Sequence, residues 1–385
     1  MDGAKFAKML SDKHLFELDR MEYKYSVSSV NEFTELLRQN FAQSLPLVDF
    51  SSDELFYLPN LARISTNGMK QLLSAPASNQ SFGLQAMTEE IHATFQIESI
   101  HSSRNSIRHI LNGYAPRNEE ESRIYGMKRG LDFIADRQNT ITEENLHQLY
   151  QISTGDYLPD EDRLLPDHFY RHDVVYVVDG KESREGLPAQ QLPDAMKRLV
   201  DFANAKDGIN ELHKAAILHF AFAYYHPYFD GNGRTARLLH LWYLVQQGYP
   251  AALFTPFSRY IAESKAAYYK VEKNALISGY TDVTPFLSYF CNEVYNRLQV
   301  DAAPPQADLQ VYQTALAEGK ITEKERLLWE YVLSAYGTEE FTTKQLEKDF
   351  RNAAYATIRT FVMKFHEMEL LVARKTGNRV FYKVK

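Results

Sequence analysis

The sequence contains almost no cysteine, since Cys291 is the only one among 385 residues. A lone cysteine excludes an internal disulfide bond and a metal site built from several cysteines. The sequence also lacks an apolar run long enough to span a membrane. Its first five residues, Met-Asp-Gly-Ala-Lys, lack the charged-then-apolar order of a secretory signal. These absences predict a protein of a reducing compartment, the cytoplasm, that has no membrane partner.

A large excess of charge is absent as well. The net charge of -7 gives no reason to expect nonspecific binding of nucleic acid by the whole chain. Hydrophobic residues make up 44% and charged residues 24%, which are ordinary values for a globular protein. A chain of this length can bury a large core, and we expect two or more domains without a repeat of fixed period.

Apolar residues at helical spacing dominate the first 300 residues, which predicts a mainly α fold. Only one segment there, Asp173 to Val178, has a strong strand pattern, and the Asp179-Gly180 pair after it predicts a hairpin turn. The serine- and asparagine-rich stretch from Ser74 to Ser81 predicts a loop. Helices are predicted over residues 31–45, 84–111, 118–136, 142–152, 188–205, 211–225, 234–247, 261–277 and 283–299.

The pattern changes after residues 301–306, where paired prolines predict a linker because they interrupt helices. Three helices and a terminal hairpin follow, which is typical of a winged-helix domain. Residues 321–385 contain 12 Lys and Arg and 9 Asp and Glu, a net charge of +3. This modest excess favours protein docking or homodimer formation over DNA binding. The predicted elements are helices over 322–335, 343–349 and 353–368, strands over 371–375 and 379–383, and a turn at Thr376-Gly377-Asn378.

The most informative segment is the run of residues 226–237. Pro227 ends the preceding helix, so His226 stands at a helix end, where an imidazole with an ordinary pKa of about 6.5 can accept a proton. Gly231 and Gly233 tolerate positive φ and leave main-chain N–H groups unshielded. The helix that follows adds free N–H groups and the positive end of its dipole, which predicts a phosphate site.

Charged side chains flank this glycine turn. Arg234 and Arg237 are three residues apart and project from one side of the first helical turn, where guanidinium groups match phosphate oxygens. Asp230 is suited to bind Mg²⁺ that the phosphates share. Each residue alone has an ordinary structural explanation, but one nucleotide site explains all of them together.

This run resembles the motif of the Fic family, His-x-Phe-x-[Asp/Glu]-Gly-Asn-Gly-Arg-x-x-Arg. Tyr228 stands where the family prefers Phe. The likeness extends over about residues 84–300 and implies a helical Fic core with a short β-hairpin flap. The predicted fold is therefore mainly α, with an N-terminal helical region (1–83), the Fic domain (84–300), a linker region (301–320) and the winged-helix domain (321–385). The matching motif positions are His226, Asp230, Gly231, Asn232, Gly233, Arg234 and Arg237.

The resemblance implies transfer of AMP from ATP to a Ser, Thr or Tyr hydroxyl of a target protein, with the enzyme itself as a further target. His226 would take the proton from the attacking hydroxyl, and the oxygen would attack the α-phosphate while pyrophosphate leaves. Asp230 would bind Mg²⁺. ATP, Mg²⁺ and a target protein are thus the implied substrate, cofactor and partner.

The same resemblance assigns the phosphate contacts. The main chain of Gly231, Asn232 and Gly233 would hold the phosphates, with a side-chain hydrogen bond from Asn232 in addition. Arg234 and Arg237 would neutralise the outer phosphates. A phosphotransferase branch of the superfamily has Lys at the position of Gly233, so this glycine favours the adenylyltransferase type.

The predicted hairpin resembles the flap of the family, which pairs with an extended target segment through main-chain hydrogen bonds. By this likeness residues 173–178 would hold the target segment, and Val175 and Tyr176 would line the nucleotide site. Tyr268 and Tyr269 resemble a pair that the family places near adenine, although adjacent tyrosines on a helix are also typical of core packing.

Thr94 and Glu98 resemble an inhibitory motif of the family, [Ser/Thr]-x-x-x-Glu-[Gly/Asn], with Ser99 in the last position. The predicted helix 84–111 places this motif ahead of the core. The likeness implies that Glu98 forms a bidentate, partly buried ion pair with Arg237 and occupies the cation meant for the γ-phosphate. Removing one partner of such a pair costs on the order of 3–5 kcal/mol.

Three other functions remain open. Glu98 could position a water that removes AMP from a modified target, as in some relatives. The protein could be a DNA-binding regulator whose core senses nucleotide without turnover, or a metal hydrolase, although its histidine spacings match no common zinc signature. The regulator would use Arg359, Lys364, Arg374, Lys375, Arg379 and Lys383, and the hydrolase His213, His219, His226 and His240 with Asp230.

Overall fold

The computed structural model describes the whole chain except residues 65, 74–79, 180–181, 278–281, 302–305, 337–339, 351 and 378. The fold is mainly helical, as predicted. A π-helical segment over Phe290–Asn296 joins the fourteenth helix to the fifteenth. The helices are α1 (Gly3–Leu10), α2 (Leu18–Tyr25), α3 (Val27–Phe41), α4 (Thr66–Leu73), α5 (Gln80–Ile97), α6 (Arg104–Leu111), α7 (Glu119–Ala135), α8 (Glu143–Ser153), α9 (Leu192–Asn204), α10 (Glu211–Tyr225), α11 (Asn232–Gln246), α12 (Phe257–Glu263), α13 (Lys265–Ile277), α14 (Thr284–Tyr289), α15 (Arg297–Asp301), α16 (Gln306–Ala317), α17 (Glu323–Ala335), α18 (Thr343–Phe350) and α19 (Tyr355–Glu367).

The strands of the described residues form three separate antiparallel pairs. They are β1 (Gln43–Val48) with β2 (Glu54–Tyr57), β3 (Tyr176–Asp179) with β4 (Glu182–Glu185), and β5 (Leu371–Thr376) with β6 (Arg379–Val384). The second pair is the predicted hairpin, and we call it the flap. Its turn residue Gly180 lies outside the described residues.

Two helices, α10 and α11, form the centre of the main core. Every residue of α10 from Leu212 to Tyr225 is buried, as expected for a helix that is apolar on all sides. The two helices pack on each other, and α7, α9 and α14 surround them. Because α10 ends and α11 begins around the glycine turn, this packing fixes the turn between two buried helices. No described helix combines the length and the apolar character that crossing a membrane requires.

The elements from α16 to β6 form a C-terminal unit that has its own core. Leu328, Ile358 and Phe365 are buried in it, and β5 and β6 form the predicted terminal hairpin. A main-chain bridge between Phe341 and Tyr382 adds a further strand contact to the hairpin. The unit packs against the main core through α17, which lies along α5.

The predicted helix over 31–45 is wrong at both ends. The helix α3 covers Val27–Phe41, and residues 43–48 form β1. Leu45 and Leu47 alternate with exposed residues along this strand. The strand β1 and its partner β2 form a hairpin ahead of residue 300 that was not predicted. Propensity favoured a helix, but the alternating burial of a short edge strand decided the structure.

The predicted helix over 84–111 is interrupted. It consists of α5, which ends at Ile97, and α6, which begins at Arg104. Ser99 has a left-handed backbone, with φ of 58°, and the hydroxyl of Ser103 caps α6 by accepting from the Ser106 N–H. Apolar spacing continues across the break, so periodicity alone could not reveal it.

Two further predictions need correction, those of the helix over 261–277 and of the flap strand. The helix over 261–277 begins at Phe257 and divides at Ser264 into α12 and α13. The flap strand covers 176–179 instead of 173–178. The linker region 301–320 contains a helix, α16, while residues 302–305 with their prolines lie outside the described residues. Residues 74–79 of the predicted loop and Asn378 of the predicted turn lie outside them as well.

Candidate active site

His226 directly follows α10 and has a left-handed backbone, with φ of 53° and ψ of 60°. Its N–H donates to the Phe222 carbonyl at 3.1 Å and so still closes the last turn of the helix. Pro227 cannot continue the helix, as predicted. A non-glycine residue in this conformation is strained by about 1–2 kcal/mol, so its surroundings must hold it.

The loop between the two core helices is held by Asn232. Its Oδ1 accepts from the Tyr228 N–H at 2.9 Å, and its Nδ2 donates to the Tyr228 carbonyl at 2.7 Å. Both polar groups of the amide are thus used within the loop, and the predicted side-chain bond to phosphate would require one of them to be released. We call residues 226–231 the catalytic loop.

Gly231 is required by the close approach of α8. It has φ of 81°, and a Cβ at this position would collide with the side chain of Thr154. The N-terminus of α11 begins directly after it, at Asn232. Free N–H groups and the positive dipole end therefore face the turn, in the arrangement that favours an anion.

Asp230 and Arg234 form an ion pair at the entrance of this turn. Asp230 Oδ2 accepts from Arg234 Nη2 at 2.9 Å, and Oδ1 accepts from the Gly231 N–H at 2.5 Å. The Asp230 side chain is 51% exposed, whereas that of Arg234 is 3% exposed. The Asp230 carboxylate is therefore open to solvent beside the turn, while the Arg234 guanidinium is buried and bonded to it.

Arg237 is buried and contacts Thr94 and Glu98, the residues of the predicted inhibitory motif. Its Nε donates to the Thr94 hydroxyl at 2.5 Å, and its Nη2 donates to the Thr94 carbonyl at 3.3 Å and to Glu98 Oε1 at 2.5 Å. The predicted ion pair with Glu98 is present, although it uses one carboxylate oxygen and is not bidentate. The other bonds of the guanidinium go to Thr94, the second matching position of the predicted motif.

The Glu98 carboxylate also lies directly over Gly233. A Cβ on Gly233 would collide with Glu98 Oε1 and would approach Arg237 Nη1 to 3.1 Å. Any side chain at this position, lysine included, would therefore compete with the carboxylate for the same space.

The environment of His226 keeps its imidazole neutral. Burial lowers its pKa to about 4, and the positive charges of Arg184 and Arg171 act in the same direction. A hydrogen bond with the main chain of Ala223 and the carboxylate of Glu98 act in the opposite direction. At neutral pH the ring is in the form that can accept a proton.

The flap presents its predicted residues unequally. Tyr176 is 60% exposed and Val174 is 52% exposed. Val175 is half-buried, and its carbonyl accepts from the Gly186 N–H at 2.9 Å. Exposed residues just before β3 and at its start suit an extended peptide segment. Nucleotide contacts of Val175 and Tyr176 stay a prediction.

The two tyrosines assigned to adenine occupy different environments. Tyr268 is buried, and its hydroxyl lies 2.9 Å from Nε2 of His219 within the core. The half-buried Tyr269 has its hydroxyl 3.4 Å from the Ile97 carbonyl at the end of α5. Tyr268 is thus a core residue in this structure, and the adenine contact of the pair stays a prediction.

The histidines of the hydrolase alternative do not assemble a metal site. His219 and His240 are buried side by side among aromatic rings, and burial lowers the pKa of both. Among the described residues, no group of three or more His, Cys, Asp or Glu side chains has a metal-binding arrangement.

Tyr228, the departure from the motif, fills a core position. It is fully buried and stacks on Tyr150 with ring centroids 3.6 Å apart. A buried hydroxyl ordinarily needs a hydrogen-bond partner. Within the described residues the hydroxyl has no hydrogen-bond partner.

Two residues that contact the catalytic loop could not be assigned from the sequence. Thr154 packs on Gly231, and Arg171 donates to the His226 carbonyl at 2.8 Å. Neither belongs to a motif, and both reach the loop only through the tertiary fold. Thr154 directly follows α8, and Arg171 lies five residues ahead of β3, so neither position singles the residue out in the sequence.

Comparisons with known proteins find similarity to the Fic family. The model of the Fic/DOC family matches residues 140–244. The protein adenylyltransferase fic-1 of Caenorhabditis elegans is 32% identical over 98 residues, 25% of this chain and 18% of that protein. The protein adenylyltransferase Fic of Drosophila willistoni is 25% identical over 179 residues, 45% of this chain and 32% of that protein. The matches thus span about a fifth to a third of the length of these curated relatives.

Solved structures share the fold. A Fic family protein from Desulfovibrio desulfuricans superposes with a TM-score of 0.52 at 18% identity, over 85% of this chain and 95% of that one. Fic-1 from C. elegans superposes with a TM-score of 0.50 at 19% identity, over 77% of this chain and 86% of that one. At these identities the likeness concerns the fold alone.

Proposed function

From the premise that residues 140–244 form a Fic domain, we propose that the chain is a protein adenylyltransferase, which transfers AMP from ATP to a hydroxyl of a target protein. The observation that carries the proposal is the neutral His226 imidazole beside a glycine turn that begins a buried helix. Base and anion site are thus adjacent, as acid–base catalysis at a phosphate requires.

In this proposal each group has one task. His226 accepts the proton of the target Ser, Thr or Tyr hydroxyl, and the resulting nucleophile attacks the α-phosphorus of ATP. The bond from that phosphorus to the bridging oxygen breaks, and pyrophosphate leaves. The N–H groups at the start of α11 and the guanidinium of Arg234 bind the phosphates and stabilise the charge that develops. The exposed edge of the flap holds the target segment.

The carboxylate of Asp230 fits a Mg²⁺ ion that ATP brings to the site. It is 51% exposed beside the turn, and Mg²⁺ in nucleotide sites is held by one or two carboxylates together with phosphate oxygens and waters. The ion would supply charge neutralisation to the phosphates. Arg234 would share Asp230 with it or turn to the phosphates.

Glu98 acts as an inhibitor of this reaction in the proposal. It accepts a hydrogen bond from Arg237, the second arginine of the motif, and its carboxylate lies over Gly233. A γ-phosphate at Arg237 would meet like charge there, so ATP would bind with its α-phosphate poorly aligned. Because the Glu98 side chain is 28% exposed, solvent screening weakens the pair relative to a fully buried one, and ATP competes with it more easily.

The test is labelling by ATP that carries ³²P on either the α- or the γ-phosphate. The Glu98→Gly variant with α-labelled ATP is expected to label protein at least about tenfold more than wild type, the equivalent of about 1.4 kcal/mol. His226→Ala in the same background is expected to abolish the label. Glu98→Gln separates the charge of the carboxylate from the space that it fills.

The matched control is Glu89→Gln, because Glu89 lies on α5, the helix that Glu98 directly follows, but pairs with Arg104. It is expected to label as weakly as wild type. Transfer of γ-label would contradict AMP transfer, and equal labelling by wild type and Glu98→Gly would contradict inhibition. Loss of AMP removal in Glu98→Gln would favour the de-AMPylating alternative.

The DNA-binding alternative loses support at the C-terminal unit. Lys364 Nζ lies 2.8 Å from Glu325, and the guanidinium of Arg374 pairs with Glu340 at 2.5 Å. Two of the six basic residues that would contact phosphate are thus neutralised within the unit itself. We keep protein docking ahead of DNA binding for this unit.

A further inference from the structure

Arg171 is a buried arginine whose hydrogen bonds all end on main-chain carbonyls. It is 2% exposed. Nε donates to the His226 carbonyl at 2.8 Å, Nη1 donates to the Asp173 carbonyl at 2.6 Å, and Nη2 donates to the Leu187 carbonyl. Burying a charged group is costly unless its donors are satisfied, so three carbonyls that converge on one guanidinium form a defined polar centre.

These three carbonyls belong to different segments of the site. Asp173 precedes the first flap strand and Leu187 follows the second, so one side chain ties both ends of the flap. The third carbonyl belongs to His226. The main-chain N–H of Arg171 also donates to the Pro227 carbonyl at 2.9 Å. This bond is a second link between the segment ahead of the flap and the catalytic loop.

The junction is closely packed around Gly186. A Cβ on Gly186 would lie 2.7 Å from Arg171 Nη2, 2.9 Å from Val175 Cγ1 and 3.3 Å from His226 Cβ. The end of the flap thus packs tightly on Arg171 and Val175 and lies close to His226, so a larger residue at position 186 would displace these side chains. Next to it, the Leu187 N–H donates to the Tyr225 carbonyl at 3.2 Å.

The His226 backbone needs such support. Its left-handed conformation is strained for a residue with a Cβ and persists only where the surroundings determine it. The Nε bond of Arg171 fixes the carbonyl of this residue, while Asn232 fixes the loop on its other side. A planar guanidinium can hold several carbonyls in one fixed geometry, and the ammonium of a lysine cannot.

We propose that Arg171 is a positioning residue that fixes the flap relative to His226. It thereby sets the distance and angle between the target hydroxyl on the flap and the base that deprotonates it. The inference rests on the proposed adenylyl transfer. It assigns to Arg171 no contact with substrate: the residue acts through the main chain of its neighbours.

The kinetic test compares Arg171→Lys and Arg171→Met in the Glu98→Gly background, with α-labelled ATP. Displacement of a reacting group by about 1 Å costs roughly 100-fold in rate. We therefore expect kcat to fall about 100-fold for Met and about tenfold for Lys. KM for ATP is expected to change less than about twofold, because the phosphates bind at the turn before α11.

A matched control is Arg163→Met. Arg163 Nε also donates to a main-chain carbonyl, that of Leu158 at 2.9 Å, but its side chain is 49% exposed. This variant is expected to keep the kcat of its parent. A rise in KM for ATP with unchanged kcat in the Arg171 variants would overturn the positioning role.

Hydrogen exchange of the full chain tests the coupling without enzymatic activity. In Arg171→Met, amides of the peptide 223–232 and of the peptide 172–187 are both expected to exchange about tenfold faster or more, as local opening of both segments predicts. Faster exchange in the flap with unchanged exchange at 223–232 would overturn the proposal. Should Met prevent folding, the milder Lys variant carries the same comparison.

The two proposals fail in different ways. Absence of α-label from the Glu98→Gly variant would refute adenylyl transfer, whatever Arg171 does. Hydrogen exchange of the two peptides does not depend on activity, so it would still test whether Arg171 couples the flap to the catalytic loop.

Discussion

At the scale of single residues, the titration of His226 is open to direct measurement. Its pKa is lowered to about 4 by burial and by the charges of Arg184 and Arg171. The neutral ring is the base, so activity is lost as pH falls through this pKa. Glu98 raises the pKa, and its removal therefore moves the loss further toward acid.

The prediction concerns kcat/KM of the Glu98→Gly variant, which reports groups of the free enzyme. We expect it to stay level from pH 7 to about pH 5 and to decline only at lower pH. An acid limb with its midpoint near 6.5, the ordinary value for histidine, would contradict the environment described for His226. Circular dichroism at each pH separates this decline from unfolding.

Tyr228 offers a second residue-scale prediction. Its buried hydroxyl has no partner among the described residues, and an unsatisfied buried hydroxyl costs about 1–3 kcal/mol. Tyr228→Phe, which restores the residue of the motif, is therefore expected to raise the free energy of unfolding by about 1 kcal/mol. Urea denaturation of the two proteins measures this change.

The matched control for this prediction is Tyr295→Phe. Tyr295 is equally buried, but its hydroxyl donates to the Leu212 carbonyl at 2.8 Å. Removing the hydroxyl loses this hydrogen bond, and the free energy of unfolding is therefore expected to fall by about 1 kcal/mol. Equal destabilisation by both substitutions would mean that the Tyr228 hydroxyl is hydrogen-bonded in solution.

Only the site residues that belong to a recognisable motif could be predicted from the sequence. Glu98 and Arg237 are 139 positions apart, yet the motifs placed them together, and their side chains bond. Arg171 and Thr154 belong to no such motif. Each acts through main-chain geometry or close packing that exists only after folding, so residue type and spacing carry no signal for them.

At the scale of elements, the break between α5 and α6 shows why the ends of helices are hard to predict. Glu98 lies just beyond the end of α5, and Ser99 turns the chain with a φ of 58°. Glycine and asparagine adopt this conformation at low cost, which gives a physical reason for the Gly or Asn that the family motif has at this position. Serine satisfies the same turn with some strain.

Long helices with clear ends were predicted closely. The helix α10 was expected over 211–225 and has those bounds, since Asn210 caps its first turn and Pro227 prevents its continuation. The short strands β1 and β2 were missed because each buries only a few side chains. A two-stranded sheet packed on helices produces too short an alternation to outweigh helical periodicity nearby.

At the scale of the whole molecule, α5 connects two units. On one side, Ile91 and Phe95 are buried in the main core, and Glu90 accepts from the main-chain N–H of Ser258 at 2.8 Å. On the other side, Leu84 packs against the core of the C-terminal unit. The helix that delivers Glu98 to Arg237 is therefore held in place partly by α17.

This arrangement predicts that a weaker contact with the C-terminal unit relieves inhibition. Leu84→Lys introduces a charge into an apolar contact at the start of α5, and loss of such burial costs about 1–3 kcal/mol. Part of that cost appears as easier displacement of Glu98. We expect labelling with α-labelled ATP to rise about two- to tenfold over wild type.

The decisive comparison for this prediction places Leu84→Lys in the Glu98→Gly background. If α17 acts by holding α5, the substitution has nothing left to release there, and the variant labels no more than its Glu98→Gly parent. The two substitutions are then strongly non-additive, as expected for residues that act through one element. An equal increase in both backgrounds would show that Leu84 affects catalysis by another route, and the C-terminal unit would then have no part in restraining Glu98.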